Sequence, residues 1–167
     1  MTRLLDFHSH HFDAPAGSAI VNLPLEILSG ATPFAPLPHA YYSVGIHPWW
    51  SSLPAADLAQ LQQQLPLWAA RDEVVALGEC GFDRLRGDWA VQEQLFPLHV
   101  RLSEAYGKPL ILHCVRAFDR LLALRKHYRP TQRWVIHGFR GRPALARQLL
   151  QADFDLSFGE HYNAESY

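Results

Sequence analysis

Two histidines, His8 and His10, stand two residues apart just behind the apolar pair Leu4-Leu5. Side chains at that spacing on a strand share a face, so both imidazoles can reach one cation. Glu79 follows the run Val74-Val75-Ala76-Leu77-Gly78. An acid at the end of a buried strand is costly unless a cation compensates it. His47, His113 and His137 close three further apolar runs: Tyr42 to Ile46, Pro109 to Leu112, and Trp134 to Ile136. Taken singly, His8 and His10 read as two surface histidines near the chain start, His113 and His137 as satisfied core histidines, and Glu79 as the partner of Arg84 or another arginine. Taken together, His8, His10, His113 and His137 with Glu79, all at the ends of similar runs, read as metal ligands. A carboxylate has two oxygens and can bridge two cations. Imidazole and carboxylate donors suit zinc first, with manganese, iron and nickel as alternatives, and magnesium less well. The ten histidines of the chain, against two lysines, point the same way.

The runs that end on these residues are of strand length and rich in branched side chains, the pattern of parallel strands buried on both faces. Ala19 to Leu23 and Phe154 to Phe158 are two weaker candidates, which brings the count to about seven. Helical stretches lie between them. Leu58, Leu61 and Leu65 repeat at helical spacing over Asp57 to Leu65, with Pro66 disturbing the end. Asp88 is a candidate N-cap for Trp89 to Tyr106, with Pro97 inside and Gly107 as the C′ residue. Phe118 to His127 repeats leucines, and Pro143 opens Ala144 to Gln151. His10, His47, Glu79, His113 and His137 follow one another at 37, 32, 34 and 24 residues. A strand–helix–strand unit takes about 30 residues. The expectation is one α/β domain over residues 1–167 with a parallel sheet, a TIM-like (β/α) barrel whose polar strand ends gather at one mouth.

Composition bounds the rest. The chain has 167 residues, 49% hydrophobic and 19% charged, with a formal net charge of -1. No long-range field attracts nucleic acid, which would have to be held locally. Cys80 and Cys114 form no CxxC pair and follow proposed ligands, so they read as buried, inert thiols of a reducing compartment. The opening MTRLLDFHSHH breaks its apolar run at Asp6, unlike a signal peptide. No run approaches the roughly 20 residues of a membrane span. These features predict a soluble, cytoplasmic protein.

The motifs resemble those of the TatD family of metal-dependent hydrolases. Asp6-Phe-His8-Ser-His10 matches the family's D-x-H-x-H opening. Val44-Gly-Ile-His47-Pro48, Leu77-Gly-Glu79-Cys-Gly81-Phe-Asp83, Leu112-His113 and Ile136-His137-Gly-Phe-Arg-Gly141 follow in the family's order, with Gln92 and Phe96 in its helix pattern. The resemblance implies a TIM-like barrel, a two-cation centre and hydrolysis of phosphodiesters, with DNA as a candidate substrate. It implies that His8 and His10 bind one cation, that His113 and His137 bind the other, and that Glu79 bridges them as the catalytic carboxylate. His47 and Asp83 take a supporting place near the site. Arg116 and Arg140, just past strand ends, are candidates to hold a phosphate oxygen bidentately.

The family also carries a T-D-x-P aspartate on an eighth strand and an arginine two residues after the fifth-strand histidine. Here Val115 holds the latter position, and the T-D-x-P motif is absent. The expectation is therefore a barrel of about seven strands lacking the last strand and helix, with a gap between last and first strands that invites self-association. Asp13, Asp155, Glu160 and Glu165 are the candidates to replace the aspartate. Three rival readings stand beside the phosphodiesterase: a phosphomonoesterase, an amidohydrolase or lactonase on a small molecule, and a truncated paralogue that binds metal without turnover.

Overall fold

A computed structural model describes residues 6–159, 161 and 163–166. Seven strands alternate with five helices: β1 (Asp6–Ser9), β2 (Ala19–Asn22), α1 (Leu25–Leu28), β3 (Tyr41–Val44), α2 (Ala55–Ala69), β4 (Val74–Asp83), α3 (Trp89–Tyr106), β5 (Leu110–Val115), α4 (Phe118–Tyr128), β6 (Trp134–Ile136), α5 (Pro143–Gln151) and β7 (Phe154–Leu156). All pairings are parallel, and the strands lie in sequence order from β1 to β7. The sheet curls strongly. In a flat sheet, strands five places apart lie roughly 24 Å from each other. Yet the ring of His8 on β1 and that of His137, just past β6, have centroids 4.4 Å apart. The chain is thus most of a barrel, as the βα period predicts.

Among the described residues β7 does not pair with β1. A cavity of about 370 Å³ separates Asp6, Phe7 and His8 from Ser157, Phe158 and Gly159. The main core lies between the sheet and the helices, where Leu77, Cys80 and Phe82 of β4 meet Leu95, Phe96 and Val100 of α3. The inside of the curl holds a smaller cluster of Ile20, Ala76 and Ile111, flanked by Phe7 and Val75.

The helices follow the sequence signals, with one difference. Asp88 caps α3, its Oδ1 accepting the Val91 N–H at 3.1 Å, and Gly107 ends it at φ +64°. Pro143 occupies the first turn of α5. Pro66, expected to disturb the end of its helix, lies inside α2, which continues to Ala69. Leu58, Leu61, Leu65 and Ala69 form one buried stripe across the proline. Burial of that stripe outweighs the roughly 3 kcal/mol that an interior proline costs. The strands shift too. β4 runs on to Asp83, so Glu79 sits within the strand and not at its end.

Candidate metal centre

The backbone of β4 creates the site. Its register against β5 shifts between Leu77 and Cys80, and both of these residues join the outer core. Glu79 between them therefore turns into the curl, where it is 3% exposed. Gly78 (φ +131°) and Gly81 (φ +129°) flank it in conformations that side chains rarely adopt. A Cβ on Gly78 would lie 2.2 Å from the Ile111 carbonyl oxygen, and one on Gly81 2.3 Å from that of His113. Bare glycines thus let β5, and His113 with it, close on the carboxylate.

Five imidazoles converge on Glu79. Its Oε2 lies 3.0 Å from His8 Nε2 and 3.6 Å from His10 Nε2, and these two nitrogens are 3.1 Å apart. Its Oε1 lies 2.7 Å from His113 Nδ1, 2.5 Å from His137 Nε2 and 3.2 Å from His47 Nε2. Three nitrogens crowd an oxygen that has two lone pairs, so they cannot all be satisfied as donors to it. Two close groups suit a metal ion: His8, Glu79 and His137, and His47, Glu79 and His113. His8 Nε2, His10 Nε2 and Glu79 Oε2 likewise lie within 3.6 Å of one another.

Burial pushes the Glu79 carboxyl up, but hydrogen bonds from His10, His113, His137 and His47 outweigh it and hold the group far below the usual carboxylate range. The imidazoles divide. Burial lowers the His8 pKa, aided by repulsion from His137 and His10 against the pull of Glu79. The hydrogen bond to Glu79 raises that of His10. For His113, burial works downward, but Glu79 and Asp83 prevail and the net shift is upward. His8 thus favours the neutral form, the one that offers a lone pair to metal. Its buried Nδ1 has no hydrogen-bond partner among the described residues. A histidine-rich, carboxylate-centred donor set with a polar atom left over fits a transition-metal cation.

Around this shell stand groups that orient it. His113 Nε2 faces Asp83 Oδ2 at 3.1 Å while its Nδ1 faces Glu79. A carboxylate behind a ligand imidazole is a common device of metal sites. Asp83 also accepts the Trp49 indole N–H on Oδ2 at 2.7 Å and the Leu85 N–H on Oδ1 at 2.8 Å. Burial raises the Asp83 pKa, but these bonds and His113 outweigh it. Gln92, buried on α3, clamps the end of β4, accepting from the Asp83 N–H at 2.8 Å and donating to the Asp83 carbonyl at 3.2 Å. His99, also on α3, accepts the Ile46 N–H on Nε2 at 2.9 Å and faces the Leu95 carbonyl through Nδ1 at 3.0 Å. Burial depresses its pKa to about 4. It therefore stays neutral and fixes the backbone beside His47.

The structure brings together all the residues that the sequence nominated as ligands. It also brings His47 as close to Glu79 as His10 is, and places Asp83 behind His113. Arg116 and Arg140 line a cavity of about 660 Å³ shared with His8, His10, His113 and His137. Arg84 does not neutralise Glu79, because it pairs with Asp119 at 2.8 Å. Asp155 lies apart from the cluster, in an ion pair with Arg133. Asp13 and Glu165 are exposed, and Glu160 lies outside the described residues. Lys108 is held at the opposite end by the Ala69 and Arg71 carbonyls, at 2.6 and 2.8 Å. Cys80 is fully buried, as expected, whereas Cys114 is half-buried on the wall of the arginine-lined cavity. Burial pushes the Cys114 thiol up to about 12, which keeps it unreactive. Two orienting residues, Gln92 and His99, had no assigned role in the sequence. Gln92 already stood in a motif, and a histidine within the apolar stripe of α3 was the available signal for the other.

A curled parallel sheet with a histidine–glutamate cluster in its mouth defines a barrel of the metal-centred type. The family model described as TatD related DNase matches residues 20–166, and the chain belongs to the TatD family. It is 33% identical over 142 residues to a metal-dependent hydrolase named YjjV from Escherichia coli, covering 80% of this chain and 51% of that protein. It is 33% identical over 121 residues to the 3'-5' ssDNA/RNA exonuclease TatD of Pantoea ananatis, covering 71% and 44%. The chain thus spans about half the length of the curated relatives it matches. The crystal structure of the Escherichia coli TatD homologue YjjV superposes with a TM-score of 0.70 at 27% identity, over 92% of this chain and 67% of that one. A TatD-family hydrolase from Entamoeba histolytica shares the fold, with a TM-score of 0.67 at 18% identity, over 93% and 64%.

Proposed function

We propose that this chain is a metal-dependent phosphodiesterase acting on single-stranded nucleic acid. In this reading Glu79 would be the ligand shared by two divalent cations, zinc being the first candidate. His8 and His10 hold one, and His113 and His137 hold the other. One observation carries it. The two oxygens of Glu79 divide the histidines into sets, His8 and His10 on Oε2, and His113 and His137 on Oε1. A bridging carboxylate needs that division. His47, on the second oxygen, is a reserve ligand of that half.

Cations held there supply polarisation of a phosphoryl oxygen and bring the pKa of a water towards neutrality. The protein's own residues do the rest. Arg116 and Arg140 border the cavity beside the cluster and bind phosphate oxygens. Asp83 fixes the tautomer and tilt of His113. The relatives named as ssDNA/RNA exonucleases support nucleic acid as the substrate class. The remote placement of Lys108 argues against a lysine-bridged amidohydrolase. No described helix is long and apolar enough to cross a membrane. The seam between β1 and β7 supports pairing with a further strand.

The test joins metal content to substrate choice. Chelator-free protein should carry two equivalents of a transition metal by elemental analysis. It should release nucleotides from a single-stranded oligonucleotide faster than it hydrolyses a nitrophenyl phosphate or a lactone. Metal-loaded protein with no activity on phosphodiesters would overturn the proposal: turnover of the nitrophenyl phosphate or the lactone would then favour those rivals, and turnover of neither the non-catalytic reading.

A further inference from the structure

Trp49 is 45% exposed, although it stands at the mouth of the site and is held from several sides. Its indole N–H donates to Asp83 Oδ2 at 2.7 Å, and its backbone N–H donates to His47 Nδ1 at 3.1 Å. Its ring lies 4.9 Å from that of His47 and 5.7 Å from that of His113, both near perpendicular. The Arg86 guanidinium lies over it, 4.3 Å from the ring centroid. A tryptophan needed only for packing would bury its ring. This one is tethered through both its indole and its backbone N–H, yet the residue remains substantially exposed.

The neighbouring loops share the character. Phe12 follows β1 and is 46% exposed, and Leu85 follows β4 and is 61% exposed. Arg116 and Arg140 follow β5 and β6. The rim therefore carries Trp49 under Arg86 on its β3–β4 side and Arg116 and Arg140 past β5 and β6, where they share a cavity with the histidine cluster.

We infer that the Trp49–Arg86 layer is a stacking platform for a nucleobase of the substrate. The base would lie on the β3–β4 side while the phosphates on either side of the scissile bond face the arginines. The inference deepens the proposed function and rests on it for the substrate class. A single strand presents both things this rim could hold, an open base face and a backbone charge. A duplex hides its base faces, and a base-free phosphoester has none.

Binding to metal-free protein, followed by fluorescence anisotropy of a labelled oligonucleotide, tests this without relying on turnover. The wild-type chain should bind a normal single strand roughly tenfold or more tightly than the same strand with abasic sites. Trp49→Leu should lose most of that preference, and Arg86→Ala should lose part of it. Trp49→Phe, which keeps a stacking ring but drops the tether to Asp83, should keep most of it. Equal affinity of wild type for normal and abasic strands would overturn the platform, as would full preference in Trp49→Leu. Hydrolysis without base preference would refute the platform and leave the phosphodiesterase standing. Base-selective binding without hydrolysis would support the platform and refute the phosphodiesterase.

Discussion

At the N-terminal ends of the strands, charges are matched one to one. Arg71 pairs with Glu73, Arg125 with Asp153 and Arg133 with Asp155, while the Lys108 ammonium rests on two carbonyl oxygens. At the C-terminal ends, five imidazoles gather on the buried carboxylate of Glu79, and one of them, His113, also meets that of Asp83. The first arrangement is complete as it stands and serves stability. The second has more nitrogen donors than the carboxylate can use, so it is completed by something that accepts lone pairs. Substitutions at the two ends should therefore act on different observables.

The sharpest break comes at the shared carboxylate. Glu79→Gln replaces one oxygen of the carboxylate that the histidines share with an amide NH₂. Metal content should fall to background, and nucleotide release should drop on the order of a thousandfold or more. Both are read by elemental analysis and an oligonucleotide assay. A variant that kept its metal and its turnover would erase the contrast between the ends. Asp83→Asn comes next. Both oxygens of Asp83 accept N–H donors, so an amide must turn a donor towards a donor. Metal affinity, measured by competition with a chelating dye, should weaken by about 10- to 100-fold.

Arg125→Ala probes the opposite end and should leave metal content unchanged. Arg125 is buried, reaches the Gln132 carbonyl at 3.2 Å, and lies 5.5 Å from the Trp134 ring centroid and 5.7 Å from that of Phe154. Its partner Asp153 has a largely exposed side chain, so the ion pair itself contributes little. Loss of the carbonyl and ring contacts should destabilise the chain by about 1–3 kcal/mol, visible in thermal unfolding. Lost metal in this variant would show that the ends are not independent.

Much of this was readable from residue order because strand ends and ligands coincide. The apolar runs before His47, His113 and His137 marked β3, β5 and β6, and parallel pairing brought their ends together, whereas the Leu4-Leu5 pair before His8 lies outside the described residues. Glu79 was found for the same reason, although the strand runs four residues beyond it. Two features were not legible. The passage of α2 through Pro66 depends on a stripe that buries Ala69, and local propensity does not see tertiary burial. The closeness of His47 to Glu79 depends on how tightly β3 and β4 pack at Gly45 and Gly78, where an added Cβ on Gly45 would lie 2.6 Å from the Gly78 Cα. Spacing along a chain carries no such distance.

The meeting of His8 with His137 links the first strand to the sixth across nearly the whole length of the polypeptide. Cations held on either side of Glu79, one by His8 and the other by His137, would act as a buckle, their affinity being spent partly on keeping a long loop shut. Thermal midpoint and cation supply should then rise and fall together, and the fold would become a gauge of the ion it carries.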